Sequence, residues 1–180
     1  MSTVSKLTYQ DYVKFPDDGQ RHEIINGEHF VNPAPGTYHQ DLSRHIQFQL
    51  YAAIELTGLG RVYDAPCDVQ LTESDIVQPD IIVVLQAKIR KITPTKIKCV
   101  PDLLIEILSP STRTYDNTDK KQLYEREKVP EYWIVDPQEH SVTRWLLDES
   151  DRYSASTIET ESITYRGIPD GVVVDLTRVW

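Results

Sequence analysis

The amino-acid sequence predicts an α/β fold, a layered sheet covered by helices. Two observations carry that reading. Residues 81–85 (IIVVL) and 100–108 (VPDLLIEIL) are near-continuous apolar runs, as in strands buried on both faces. Residues 38–56 instead place Leu42, Ile46, Leu50, Ala53 and Ile54 at three- and four-residue spacing, the apolar stripe of an amphipathic helix.

The other elements follow in chain order. Residues 7–15 carry Leu7, Tyr9, Tyr12, Val13 and Phe15, a short amphipathic helix stopped by Pro16. Residues 21–26 and 28–32 are two short strands around Asn26-Gly27, a dipeptide that favours a tight hairpin turn. The long helix ends at Thr57-Gly58-Leu59-Gly60, where either glycine can supply a left-handed cap. Strand-like pieces at 61–64 and 68–71 precede the run at 81–85. Residues 116–128 read as a helix with Leu123 and Tyr124 toward the core. A strand at 132–135 closes on Asp136-Pro137, and pieces at 141–147, 153–158, 162–165 and 172–174 make the C-terminal part β-rich. No repeat, low-complexity tract or linker interrupts the chain, so a single domain over residues 1–180 is expected.

Composition narrows the function classes. The 180 residues are 39% hydrophobic and 26% charged, which suits a packed core rather than disorder. Lys plus Arg total 19 against 28 Asp plus Glu, a formal net charge of −9. That argues against a basic nucleic-acid coat protein or a cationic membrane binder. It leaves nucleic acid open as a substrate, because an active site needs only local positive charge, and it predicts weak, salt-sensitive binding to nonspecific DNA. Residues 86–98 reverse the balance: Lys88, Arg90, Lys91, Lys96 and Lys98 stand there with no acid. This stretch reads either as a solvated loop or as a phosphate-contacting one, lying between the two acids singled out below. Cys67 and Cys99 make neither a disulfide framework nor a zinc spacing. No leader pattern opens the chain and no apolar run reaches membrane-spanning length, so a soluble, cytoplasmic protein is expected.

The phosphate loop GxxxxGK[ST] and the G-x-S-x-G elbow are both missing, and none of the five histidines forms an i,i+4 pair. Acids on apolar strands are more informative. Asp80 immediately precedes Ile81-Ile82-Val83-Val84, and Glu106 interrupts Leu103-Leu104-Ile105-Glu106-Ile107-Leu108. A carboxylate in such a run needs a Lys, an Arg or a metal ion beside it. Asp116, Lys120 and Tyr124 share one helix face at four-residue steps. Two readings fit that spacing: a surface Asp116–Lys120 pair with Asp116 as N-cap, or Lys120 turned inward to Glu106. Trp133, Tyr132 and Tyr124 read as core rather than base-stacking platforms. His39 reads as a cap or surface residue rather than a catalytic base, and Asp102 and Asp136 as turn residues.

In order, the chain carries His22-Glu23-Ile24-Ile25-Asn26-Gly27-Glu28, Pro33-Ala34-Pro35 with His39-Gln40, Pro79-Asp80, Pro101-Asp102-Leu103-Leu104-Ile105-Glu106-Ile107-Leu108-Ser109-Pro110-Ser111-Thr112, Asp116 to Lys120 to Tyr124, and Val129-Pro130-Glu131-Tyr132-Trp133-Ile134-Val135-Asp136-Pro137. This series resembles the Uma-two family of the PD-(D/E)xK nuclease superfamily over nearly the whole chain. The resemblance implies a restriction-endonuclease-like fold, a central mixed β-sheet flanked by helices. It implies Mg²⁺-dependent hydrolysis of phosphodiesters with DNA as substrate, and Mn²⁺ as the substitute ion. Asp80 and Glu106 match the two motif acids and would hold the metal, with the Ile107 carbonyl a further ligand. The superfamily's usual lysine position, two residues after the second acid, is Leu108; the family's lysine matches Lys120 on the following helix. One residue is about 100° around a helix, so Lys121 should point elsewhere. Glu23 matches a further acid that binds metal through water or orients the lysine. Asn26 stands where the family commonly has Asp, and Lys128 where it commonly has Gly. Two alternatives remain open: a catalytically inactive nuclease-fold binding or assembly module, homodimeric through an exposed β edge, and a hydrolase of small phosphorylated or glycosidic substrates.

Overall fold

The computed structural model describes residues 6–153 and 155–180. Residues 1–5, which carry no leader pattern, and residue 154, inside one expected strand, lie outside the described residues.

A short helix α1 (Tyr9–Tyr12) leads into the hairpin β1 (Arg21–Ile25) and β2 (Glu28–Asn32). The turn between them is of the mirror-image type: Asn26 and Gly27 both take positive φ, 55° and 80°, which this dipeptide tolerates best. Helix α2 (Thr37–Leu50) runs on through a π-helical turn at Tyr51–Glu55 into β3 (Gly60–Asp64). Two-residue strands β4 (Val69–Gln70) and β5 (Ile76–Val77) precede β6 (Ile81–Leu85). After β7 (Leu103–Ile107) come α3 (Arg113–Tyr115), a π-helical stretch at Asp116–Lys120, and α4 (Lys121–Arg126). The chain finishes with β8 (Glu131–Asp136), β9 (Ser141–Leu146), β10 (Ala155–Glu159), β11 (Ser162–Tyr165) and β12 (Val172–Asp175).

The main sheet has the order β10-β9-β8-β7-β6-β3. Strands β7 and β8 are parallel, and the other neighbours antiparallel, so the sheet is mixed as expected. The helical segment from Arg113 to Arg126 makes the crossover that a parallel pair requires. On one face Leu42, Ile46, Leu50 and Ile54 of the long helix pack on Ile81, Val83, Leu103 and Ile105. On the other, Leu123, Tyr124 and Tyr132 pack on Ile82, Val84 and Leu104. Both faces of β6 and β7 are therefore dry, which is why their sequences are continuously apolar rather than alternating. Trp133, Tyr132 and Tyr124 are core residues, at most 1% exposed.

Two local expectations are corrected. The helix expected at 116–128 starts at Arg113, with Thr112 as its N-cap residue. The amides of Arg113 and Asp116 donate to the carbonyls of Ser109 and Thr112, so the first turn is already closed before Asp116. Asp116 is therefore not an N-cap but an interior residue, 2% exposed. The helix also ends sooner, because Lys128 takes φ 60°. That left-handed conformation costs an L-residue roughly 1–2 kcal/mol. The exposed Lys128–Asp151 ion pair, 61% and 51% accessible, offsets little of it. Lys128→Gly is thus expected to stabilise the protein by about 0.5–1 kcal/mol after the greater freedom of glycine in the unfolded chain is counted. Urea unfolding of the two proteins measures it; an unchanged or lower midpoint contradicts it.

Candidate active site

The motif residues meet at one end of the main sheet. Ile81 pairs with Ile105, so one step outward Asp80 comes opposite Glu106, where β6 begins and β7 ends. The β1–β2 hairpin closes this end and delivers Glu23. The helix after β7 closes it from the other side with Asp116 and Lys120.

Lys120 is the hub. Its Nζ lies 2.9 Å from Glu106 Oε1, 3.1 Å from Glu23 Oε1 and 3.7 Å from Asp116 Oδ1, and the side chain is 3% exposed. Of the two readings its spacing allowed, the inward one is what forms. Lys121 points the other way, its Nζ 3.5 Å over the Trp145 ring. Tyr124 donates its hydroxyl to Glu106 Oε1 at 2.8 Å, fixing that carboxylate from a second side. Glu23 accepts from Asn32 Nδ2 and from the Gln78 amide, both at 2.7 Å. It therefore pins the segment that presents Asp80.

Asp80 has a different environment. Arg21 Nη1 donates to Oδ1 at 2.6 Å, and the Ile107 amide to Oδ2 at 2.8 Å. His39 Nε2 stands 3.1 Å from Oδ2 and 3.0 Å from the Ile107 carbonyl oxygen. Burial opposes ionisation of Asp80, but His39, Arg21 and the Ile107 amide overcome it and hold the carboxyl down to about 2. Glu106 goes the other way. Burial, then the neighbouring Asp116, Asp80 and Glu23, push it well above the usual carboxylate range, and Lys120 only partly opposes them. Burial likewise raises Asp116, and Lys120 is held well above the usual lysine value by Glu106, Glu23 and Asp116 against its own burial.

Counting charges explains the tension. Four buried carboxyl groups share two permanent cations, Lys120 and Arg21, with the His39 ring also beside Asp80, so burial raises Glu106 and Asp116 rather than leaving four ionised groups. Asp116 Oδ1 is also buried without a hydrogen bond. Among the described residues no three His, Cys, Asp or Glu side chains form a ready cage for an ion. The donors present suit a hard cation that keeps most of its waters. The protonation of Glu106 has a testable consequence. The unfolded chain ionises this group near its ordinary value, while the folded chain keeps the proton to higher pH. The folded state thus binds more protons in that interval, and stability falls as pH rises, by up to about 1.4 kcal/mol per pH unit. Urea unfolding in EDTA from roughly pH 5 to 7 should show this slope, and Glu106→Gln should flatten it. A native slope unchanged in the variant contradicts the assignment.

Arg21, His39, Asp116 and Tyr124 belong to this cluster and were not marked as site residues in the sequence. His39 is neither a cap nor a surface residue: its side chain is 12% exposed and turned to Asp80. The basic stretch at 86–98 divides in two. Because β6 and β7 are antiparallel, residues 86–91 leave β6 at its far end, about 13 Å along the strand from the site, whereas Thr93–Ile97 return beside β4 and share a cavity wall with Pro66 and Gln78, two residues from Asp80. Lys88 pairs with Asp102 at 2.8 Å, and Lys96 donates to Gln70 at 2.6 Å while covering the Tyr9 ring. Arg90, Lys91 and Lys98 are exposed. Asp102 and Asp136 are more than turn residues: Asp102 accepts from the Leu85 amide at 2.8 Å, and Asp136 takes both Arg113 Nη atoms at 2.6 and 2.9 Å.

Access to the cluster is from the Arg21 and His39 side. A cavity of about 260 Å³ opens between them and Ser109, Ser111 and Arg113. Another of about 320 Å³ reaches Asp80 from the side of Asp64, Pro66 and Gln78.

Comparison with known proteins places this geometry. A family model described as "Uma2: Putative restriction endonuclease" matches residues 9–177. Among solved structures, the fold is shared with a crystal structure described as a "putative nuclease belonging to DUF820" from Anabaena variabilis ATCC 29413. The two are 18% identical, superpose with a TM-score of 0.75, and cover 96% of this chain and 97% of that one. No curated protein matches the chain. No helix among the described residues is long and apolar enough to cross a membrane. With the family model matching almost end to end, and a restriction-endonuclease-like sheet beneath the site, the chain belongs to the Uma2 family.

Proposed function

We propose that this chain is a divalent-metal-dependent nuclease that hydrolyses phosphodiesters in DNA. The observation that supports it most directly is the convergence of Asp80, Glu106, Glu23 and Lys120 at one sheet end, a buried excess of acidic groups. The residues fit a divalent cation, of which Mg²⁺ is the ion the family resemblance implies. Asp80, Glu106 and the Ile107 carbonyl would hold it. When bound, such an ion acidifies a coordinated water and neutralises charge on the scissile phosphate.

The protein's own groups divide the remaining work. Lys120 supplies the positive charge that partly offsets the burial of Glu106 and Asp116 in the wall of the site. Tyr124 and Lys120 together fix the orientation of Glu106, and Glu23 fixes Lys120. Arg21 sits at the mouth, 15% exposed, with Nη1 on Asp80 and its Nε buried behind. It is the cation best placed to meet an incoming phosphate, and its planar donors suit that contact.

The test is a cleavage panel: single-stranded, double-stranded and nicked DNA, alongside small phosphodiesters, each with Mg²⁺, Mn²⁺ or EDTA. Cleavage of DNA that EDTA abolishes is expected. Hydrolysis of the small esters alone moves the substrate class, and inertness toward every substrate with both ions overturns the proposal.

A further inference from the structure

His39 takes no part in the carboxylate–lysine wall, yet its ring stands at the mouth of the site. The first turn of α2 puts it there, packed against the opposite face of the sheet from Lys120. Its Nε2 lies 3.0 Å from the Ile107 carbonyl oxygen and 3.1 Å from Asp80 Oδ2, two of the oxygens assigned above to a cation. One nitrogen and two oxygens thus converge on one point at the mouth, close enough together that a single cation would be within reach of all three. Nε2–H donates to the Ile107 carbonyl, while Nδ1 is buried and meets no protein acceptor, so the proton can move to Nδ1 and free Nε2 when an ion takes its place.

We propose that His39 Nε2 is a ligand of the cation, alongside Asp80 and the Ile107 carbonyl, and that the site therefore takes a first-row transition ion in preference to Mg²⁺. The inference rests on the divalent-cation reading of the same site. Mg²⁺ demands oxygen donors and gives up water reluctantly, whereas imidazole nitrogen favours transition ions. One histidine among oxygen ligands shifts selectivity without excluding either ion. Glu106, tied to Lys120 and Tyr124, then has the freedom to bind through a water.

Mn²⁺ serves as the probe, added to the full-length protein without nucleic acid. Electron spin-echo modulation reports a directly bound imidazole nitrogen, and calorimetry gives the affinities for Mn²⁺ and Mg²⁺. Native protein is expected to show the nitrogen modulation and to bind Mn²⁺ more tightly than Mg²⁺. His39→Gln, with its fold checked by circular dichroism, should lose the modulation. Its Mn²⁺ affinity should drop at least about tenfold, the effect that even outer-sphere partners have, with a smaller change for Mg²⁺. Modulation that persists in His39→Gln overturns the inference, because the nitrogen then belongs to another residue. Mn²⁺ that binds the native protein without nitrogen modulation, and is lost in Asp80→Asn, overturns it while leaving the cation site standing. Native protein that binds no Mn²⁺ overturns the cation reading itself.

Discussion

Glu106→Gln protein is expected to cleave DNA at least about a thousandfold more slowly than the native chain, with either Mg²⁺ or Mn²⁺. A bound ion contributes several kcal/mol to the transition state, and each 1.36 kcal/mol is about a factor of ten in rate. Glutamine keeps the size of Glu106 and can still accept from Lys120 and Tyr124, which contact one carboxylate oxygen at 2.9 and 2.8 Å. Only the charge goes. Because that charge is costly to bury, metal-free Glu106→Gln should be at least as stable as the native protein at neutral pH. Asp80→Asn should lose activity equally. It should not gain stability, since Asp80 is already satisfied by Arg21 and the Ile107 amide. Initial rates of plasmid nicking and urea midpoints in EDTA check both halves. Native rates in the two variants would sink the catalytic assignment.

The two motif acids were legible because each breaks a local rule: a carboxylate inside or beside an apolar strand advertises a missing partner. The partners were harder to read. Lys120 shared a face with Asp116 in the one-dimensional pattern, yet only the packing of its helix on β7 turned that face inward. Arg21 and His39 stand 59 and 68 positions from the groups they touch, and nothing local in either stretch encodes the encounter. The basic stretch at 86–98 misled for a related reason. Closeness in sequence to Asp80 and Glu106 puts residues 86–91, across an antiparallel pair, at the opposite end of the strands, and only the return of Thr93–Ile97 along β4 brings the stretch back beside Gln78. The π-helical register at Asp116–Lys120 was equally invisible, although such turns recur at functional sites. The strands and long helix of the core were legible almost to the residue, since burial on both faces leaves the apolar pattern little freedom. The two-residue strand β5 was not, because so short a ladder depends on what it packs against.

Lys120→Met is expected to destabilise the protein by about 3–5 kcal/mol at neutral pH, the cost of leaving buried charges without their partner. Methionine fills the lysine's volume, so lost packing contributes little, and the effect isolates charge. In the native protein the folded lysine holds its proton more tightly than the unfolded one. Its stabilisation is therefore complete below the ordinary lysine value and fades only as pH rises through the higher folded value, beyond the neutral range. In the variant, Glu106 and Asp116 lose the cation that opposes their burial, so both should keep protons to still higher pH. The folded variant then binds more protons than its unfolded chain from the acidic range upward, and its stability should fall as pH rises. Near pH 4 the difference from native should be smaller, because Glu106 and Asp116, both raised by burial, are then closer to protonated in the two proteins. A divalent ion that binds only the folded variant should restore about 2.7 kcal/mol at about a hundred times its Kd. Urea unfolding from roughly pH 4 to 8, with EDTA and with Mn²⁺, measures all three effects. A loss below about 1 kcal/mol that ignores pH would show that Lys120 is an ordinary ion-pair partner, since exposed pairs contribute no more than that. The predicted pattern instead makes Lys120 the counter-charge that keeps a cation site folded while it is empty, and cleavage by the metal-loaded variant then reports what the lysine adds beyond holding that wall together.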